Sequence, residues 1–182
     1  MRSLRVTPAQ EWPDEHGLRM TPPGLLIRPA EESELGRIVE LLVLGAVPGG
    51  PPSTEDPDDL GPYRAAWRDI VDGGNGGNGG NGGVVLVAVL AGEVVGVCQL
   101  IVFRHLQAHG GLCAELESVH VHPDHRGTGV GGALLREAIE RARALGCYRV
   151  QLTSNAGRPD AHRFYERLGF VPSHFGFKLL LQ

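Results

Sequence analysis

The period of the apolar positions changes along the chain, and each change marks an element. Leu25-Leu26-Ile27-Arg28-Pro29 is a short apolar run closed by proline and reads as a first strand. Leu35, Ile38, Val39, Leu41 and Leu42 then fall at the spacing of one helix face, which ends near Gly45. A loop is expected over residues 48–52 and a second helix over residues 55–71, with Pro57 and Pro62 blurring its start. Residues 84–103 carry one charge, Glu93, and approach the length of a membrane-spanning helix. They are rich in valine and interrupted by Ala91-Gly92-Glu93, so two buried strands joined by a tight turn fit them better.

Farther along, residues 116–121 are mostly apolar or β-branched and read as a strand that Pro123-Asp124 terminates. A helix is expected to follow to Leu145. It buries Val130, Ala133, Leu134, Ala138 and Ala142, and turns Arg136, Glu137, Glu140, Arg141 and Arg143 largely outward. Gly146 is placed as its left-handed stop. A strand over residues 148–153 comes next. Pro159 then opens a helix with Ala161, Phe164, Tyr165 and Leu168 on its apolar face and Gly169 at its end. Residues 175–181 read as a closing strand.

Composition narrows the class. The 182 residues suit one core-bearing domain, placed at residues 25–182 behind a flexible tail at 1–24. Within the domain, residues 73–83 repeat Gly-Gly-Asn, have no apolar surface to bury and read as a flexible loop. A net charge of −4 argues against nucleic acid as a partner. No membrane partner is expected. Cys98, Cys113 and Cys147 form no metal-type spacing, and buried free thiols are the expectation for Cys98 and Cys147. No metal is expected, and no apolar leader run is seen, so a reducing cytoplasm is the expected setting.

The chemistry concentrates where the strand at 116–121 turns into its helix. Arg126-Gly127-Thr128-Gly129-Val130-Gly131 lets backbone N–H groups approach a phosphate, and the helix N-terminus adds partial positive charge. Arg126 supplies a side-chain cation. A pyrophosphate is the expected occupant. The glycines also fit a dinucleotide fingerprint, but the following strand ends in Ser154-Asn155 where that reading needs a carboxylate. A Walker loop fails because no Gly-Lys-Ser or Gly-Lys-Thr follows.

The same residues fit Arg-x-x-Gly-x-Gly after a strand carrying a glutamate. With Arg163-Phe164-Tyr165-Glu166-Arg167-Leu168-Gly169-Phe170 downstream, the chain resembles the GNAT superfamily of acetyl-CoA-dependent N-acetyltransferases from about Leu25 onward. The resemblance implies an α/β fold, a mixed, mostly antiparallel twisted sheet flanked by helices, with a splayed parallel strand pair. It further implies that Val119, His120 and Val121 lie along the pantetheine arm. Arg126, Gly127, Thr128, Gly129, Val130 and Gly131 would hold the pyrophosphate, with Asn155 and Arg158 also on the cofactor side.

Two residues carry the reaction in this reading. Glu117 matches the position of the general base, and Glu115, two residues earlier, shares its face on a regular strand. His120 and His122 are alternative bases. Tyr165 matches the family tyrosine that hydrogen-bonds or protonates the leaving thiolate. Arg158 stands where many members have asparagine. Together with Ala161-His162-Arg163-Phe164-Tyr165, it resembles the subgroup acting on small phosphorylated or phosphonated amines. The expected function is acetyl transfer from acetyl-CoA to a small-molecule primary amine by direct attack. A non-catalytic CoA-binding regulatory module and a protein or peptide N-acetyltransferase remain alternatives, and a homodimer is left open.

Overall fold

A computed structural model describes residues 21–45, 54–71, 83–104, 106–179 and 181. The expected tail up to residue 20, the loop at 48–52 and all but the last residue of the Gly-Asn segment lie outside the described residues. The elements run β1 (Leu26–Pro29), α1 (Leu35–Leu44), α2 (Gly61–Val71), β2 (Val84–Leu90), β3 (Glu93–Arg104), the single turn α3 (Gln107–Gly110), β4 (Leu112–Val121), α4 (Val130–Ala144), β5 (Cys147–Leu152) and α5 (Pro159–Arg167).

The strands form one sheet in chain order, β1 to β5. The first four pair antiparallel, and β5 runs parallel to β4. The valine-rich run is the β2–β3 hairpin. Ala91 (φ 52°) and Gly92 (φ 86°) form its two-residue connection, and two positive φ values match the twist of the strands they join. Among the described residues no helix is long and apolar enough to cross a membrane.

Each face of the sheet has its own core. On one, Leu86, Val95, Leu100, Val102, Ala114 and Leu116 pack beneath Val130, Leu134, Leu135, Ala138 and Ala142 of α4, with Leu168 after α5. On the other, Val85, Val87, Val94 and Val97 meet Ile38 and Leu41 of α1, and Trp67 and Ile70 of α2 border them. The buried face of α4 is wider than its sequence stripe, since Leu135 and Ile139 are also buried whereas Ala133 is only half-buried. The opposite face carries the Arg141–Glu137 pair at 2.8 Å, one turn apart. Gly146, at φ 80°, ends the helix as expected.

Two expectations differ from the structure. Helix α2 starts at Gly61, not near residue 55, because aspartates ahead of it bind neighbouring backbone. Asp56 Oδ1 accepts from the Asp58 N–H (2.9 Å) and Asp59 Oδ1 from the Gly61 N–H (3.1 Å), turns that compete with the helix. The Asp56 N–H also donates to the Tyr63 hydroxyl (2.9 Å), which folds this lead-in back onto the helix. Of the closing strand expected at 175–181, the described residues 175–179 and 181 do not join the sheet. Gly176 passes Thr153 without a ladder, and Phe175 and Phe177 remain 93% exposed, so among the described residues β5 is the sheet edge.

Candidate active site

The site begins where β4 and β5 part. Their ladder ends at Leu116↔Leu152, while β4 continues to Val121 against β3 alone. Beyond Leu116, therefore, the β5-facing edge of β4 has no strand partner among the described residues. Parallel strands that separate in this way leave backbone donors and acceptors that an extended amide-bearing chain can pair with.

A bulge aims the side chains in this region. Val97 pairs with His120 and Gln99 with Glu117, so Cys98 faces both Ser118 and Val119, and Ser118 takes φ 52°. The extra residue shifts the alternation. Val119 and Val121 turn toward the α4 core, which leaves Glu117 and His120 on the opposite face despite their odd spacing.

Glu117 is half-buried, and desolvation, followed by the charge of Glu115, pushes its pKa up. Lys178 and a backbone hydrogen bond from Ser118 act the other way. Glu115 accepts from Gln151 Nε2 at 3.3 Å, which ties it to β5. The expected proximity of the two carboxylates is therefore present. Tyr165 borders the α4 core beside Phe164 (5.3 Å between ring centroids) and Phe170 (6.0 Å). Its pKa rises mainly through burial, against the nearby Arg158 charge, and Glu117 acts on it as well. A strand carboxylate and a helix phenol thus lie within electrostatic reach of one another.

The glycine turn expected to hold an anion lies at the end of β4. Gly127 (φ 72°) and Gly129 (φ 99°) take left-handed angles that bulkier residues avoid, and Gly129 is the N-cap of α4. Thr128 Oγ1 donates to the His125 carbonyl (2.7 Å) and braces the turn. The cap has no side-chain hydrogen bond, and the first turn of α4 has no acidic residue. Its leading N–H groups and positive dipole end therefore have no capping side chain and no carboxylate of their own first turn to meet. Gly131 lies close to the Phe164 ring and Val121, which brings α5 and β4 against the same helix end.

Other residues expected at the site have more local partners. Arg126 donates from Nε to the Val121 carbonyl (3.1 Å) and from Nη2 to the Leu44 carbonyl (3.2 Å), so part of its guanidinium already holds backbone. Asn155 Oδ1 accepts from the Gly157 N–H (2.8 Å), shaping the turn before α5. Arg158 is the N-cap residue of α5, and its charge acts on both His120 and Tyr165. The pKa of His120 is lowered, by burial first and then by the charges of Arg158 and Arg126, which favours the neutral ring. His122 Nδ1 accepts from the Asp124 N–H (3.4 Å) and stays with its own turn.

Two features escaped the sequence reading. Ser154 follows β5 at the parting, and its Oγ is buried with no partner among the described residues. Gly45 packs so closely on His120 that a Cβ there would overlap the imidazole. An orphan hydroxyl, an uncapped helix end and a glycine turn together fit an extended ligand with a diphosphate at one end, which is the shape of acetyl-CoA. Among the described residues there is no cluster of three or more His, Cys, Asp or Glu suited to a metal ion. The cysteines there are free: Cys98 and Cys113 are buried and Cys147 only half-buried, and burial pushes the Cys98 thiol up to about 12.

The fold and this strand–turn–helix site define a class, and comparison with known proteins supports it. A sequence model of the acetyltransferase (GNAT) family matches residues 48–170. The chain belongs to that family. It is 43% identical over 86 residues to an aminoalkylphosphonate N-acetyltransferase of Salmonella typhimurium, covering 47% of this chain and 55% of that protein. It is 37% identical over 79 residues to a glucosamine 6-phosphate N-acetyltransferase of Trypanosoma brucei brucei, covering 43% and 52%. The chain thus spans about half the length of these curated relatives. A crystal structure described as a transcriptional regulator from Bacillus halodurans superposes with a TM-score of 0.74 at 35% identity, covering 86% of this chain and 99% of that one.

Proposed function

We propose that this chain transfers the acetyl group of acetyl-CoA to the primary amine of a small molecule that also carries a phosphate or phosphonate. The observation that carries the proposal is the parting of β4 and β5 one residue before Glu117, with the glycine turn and uncapped start of α4 at the far end of β4. The charge of Glu117 also acts on Tyr165. Glu117 takes the ammonium proton, directly or through water. The freed nitrogen attacks the thioester carbonyl to form the N–C bond and a tetrahedral oxyanion. As this collapses, the C–S bond breaks and the nitrogen releases its second proton, which replaces the one Tyr165 gives to sulfur. Backbone N–H groups of β4 near the bulge stabilise the oxyanion, and Tyr165 returns a proton to the departing sulfur. No covalent enzyme intermediate is needed. The α4 turn holds the diphosphate, and Ser154 Oγ takes a polar group of the pantetheine arm.

The acceptor's anionic group rests on two supports. The charges of Arg158 and Arg126 both act on the His120 ring, which lies on the face of β4 that carries Glu117. The two relatives above are named for substrates bearing phosphonate or phosphate. The test compares kcat/KM for 1-aminoalkylphosphonates and glucosamine 6-phosphate with their neutral analogues. The anionic amines should be better by about tenfold or more, the scale of one charge-assisted contact. Equal values would remove the anionic group from the proposal.

A regulatory module that binds acetyl-CoA without turnover is the second reading, favoured by the similarity to the Bacillus halodurans protein described as a transcriptional regulator. Thiol release across the same amines separates the two, because a sensor binds acetyl-CoA and releases none. A cytoplasmic setting goes with either.

A further inference from the structure

The end of α1 is fastened to the site at two points by residues distant in sequence. Arg126, in the turn that forms the anion cradle, donates to the carbonyl of Leu44, the last residue of α1. That carbonyl belongs to the helix's negative end, where a cation is favoured. One residue on, the backbone of Gly45 lies against the imidazole of His120. His120 in turn shares its face of β4 with Glu117. The end of α1 therefore borders the acceptor side of the site, and Arg126 links it to the cradle.

A guanidinium has five N–H donors. Nε and Nη2 each use one, on Val121 and Leu44, which leaves three to meet an anion. We propose that Arg126 is a positioning residue that couples the two halves of the site. Holding the Leu44 carbonyl and the diphosphate with one rigid group, it makes filling of the cradle firm the last turn of α1. Coupling of this kind is reciprocal, so a firm α1 end also favours the diphosphate. A lysine retains the charge at this position but cannot hold two carbonyls and an anion in one plane.

The inference rests on acetyl-CoA binding at the α4 turn but not on the acceptor assigned above. Amide hydrogen exchange at residues 43–45, followed by NMR in the full chain, tests it, with CoA as probe and calorimetry reporting its binding. In the wild-type chain, saturation with CoA should slow exchange there by about tenfold. In Arg126→Lys, exchange should stay at its CoA-free rate even when calorimetry shows saturation. Arg126→Gln serves if the lysine variant does not fold, with the same expectation. CoA bound to the wild type with unchanged exchange, or equal slowing in wild type and variant, overturns the coupling alone. No CoA binding by the wild type overturns the acetyl-CoA reading and this inference together.

Discussion

The imidazole of His120 covers Gly45 so closely that the two positions cannot both carry side chains in their present places. The backbone does not require glycine there, since Gly45 has φ −87°, in the ordinary helical region. The neighbour alone imposes it. Gly45→Ala should therefore destabilise the chain by about 1–3 kcal/mol through overpacking. In a His120→Ala background the same change should be neutral or stabilising by about 0.5 kcal/mol, because alanine restricts the unfolded chain. Chemical denaturation of the four-member cycle checks the reversal of sign. Equal effects in both backgrounds would refute the contact.

Glu117 has a raised pKa, first from burial and then from Glu115. A folded pKa above the unfolded one means that its stabilising contribution is present below the unfolded pKa and lost as pH rises through the folded pKa. Glu117→Gln should accordingly be no less stable at neutral pH. If Glu117 is the base, kcat/KM should drop by about a hundredfold or more, and the acid limb of the profile assigned to it should disappear. Initial rates across pH, with melting curves on the same samples, test both halves.

Ser154 offers a second separation of stability from function. Its buried Oγ has no partner among the described residues, so Ser154→Ala removes an unsatisfied group from the free protein. The melting temperature should hold or rise. If Oγ meets the pantetheine arm, calorimetry should show the CoA dissociation constant increasing by about fivefold, the scale of one neutral hydrogen bond. Unchanged affinity would leave the hydroxyl without that role.

Far from the site, Arg28 grips Glu34 with two hydrogen bonds of 2.7 and 2.9 Å, and Glu34 also accepts from the Glu31 N–H at 2.8 Å. Arg28 is the main cause of the lowered Glu34 pKa. A lowered folded pKa contributes stability above the unfolded value that is lost as pH falls through the folded one. Glu34→Gln should thus cost about 1 kcal/mol at pH 7, and the gap from wild type should close in acid. Urea unfolding at a series of pH values measures it.

Local signals made much of this molecule readable. Valine alternation and Ala91-Gly92 specify the β2–β3 hairpin, while the apolar stripe and Gly146 specify α4, because helix and turn chemistry act over a few residues. The glycine turn was legible for the same reason, as its φ values follow from residue type. The bulge at Ser118 was not, since an extra residue is defined only against Cys98 of another strand. Gly45 and His120 meet across 75 positions, and no local pattern announces such a pair. Phe175, Phe177, Leu179 and Leu181 alternate as a strand would, yet a strand needs a ladder, and residue type does not supply one. Glu117 and Tyr165 stand out through the family resemblance of the motifs around them, whereas Ser154 gains meaning only from its surroundings in the fold.

The central claim is tested most directly by thiol release from acetyl-CoA with a 1-aminoalkylphosphonate as acceptor, in the wild type and in the Glu117→Gln/Tyr165→Phe double variant. The wild type should release thiol in step with N-acetylated product. The double variant should bind CoA with near-normal affinity and turn over slower by about a thousandfold or more. A wild type that binds acetyl-CoA and releases no thiol, or a double variant as fast as the wild type, would contradict the account.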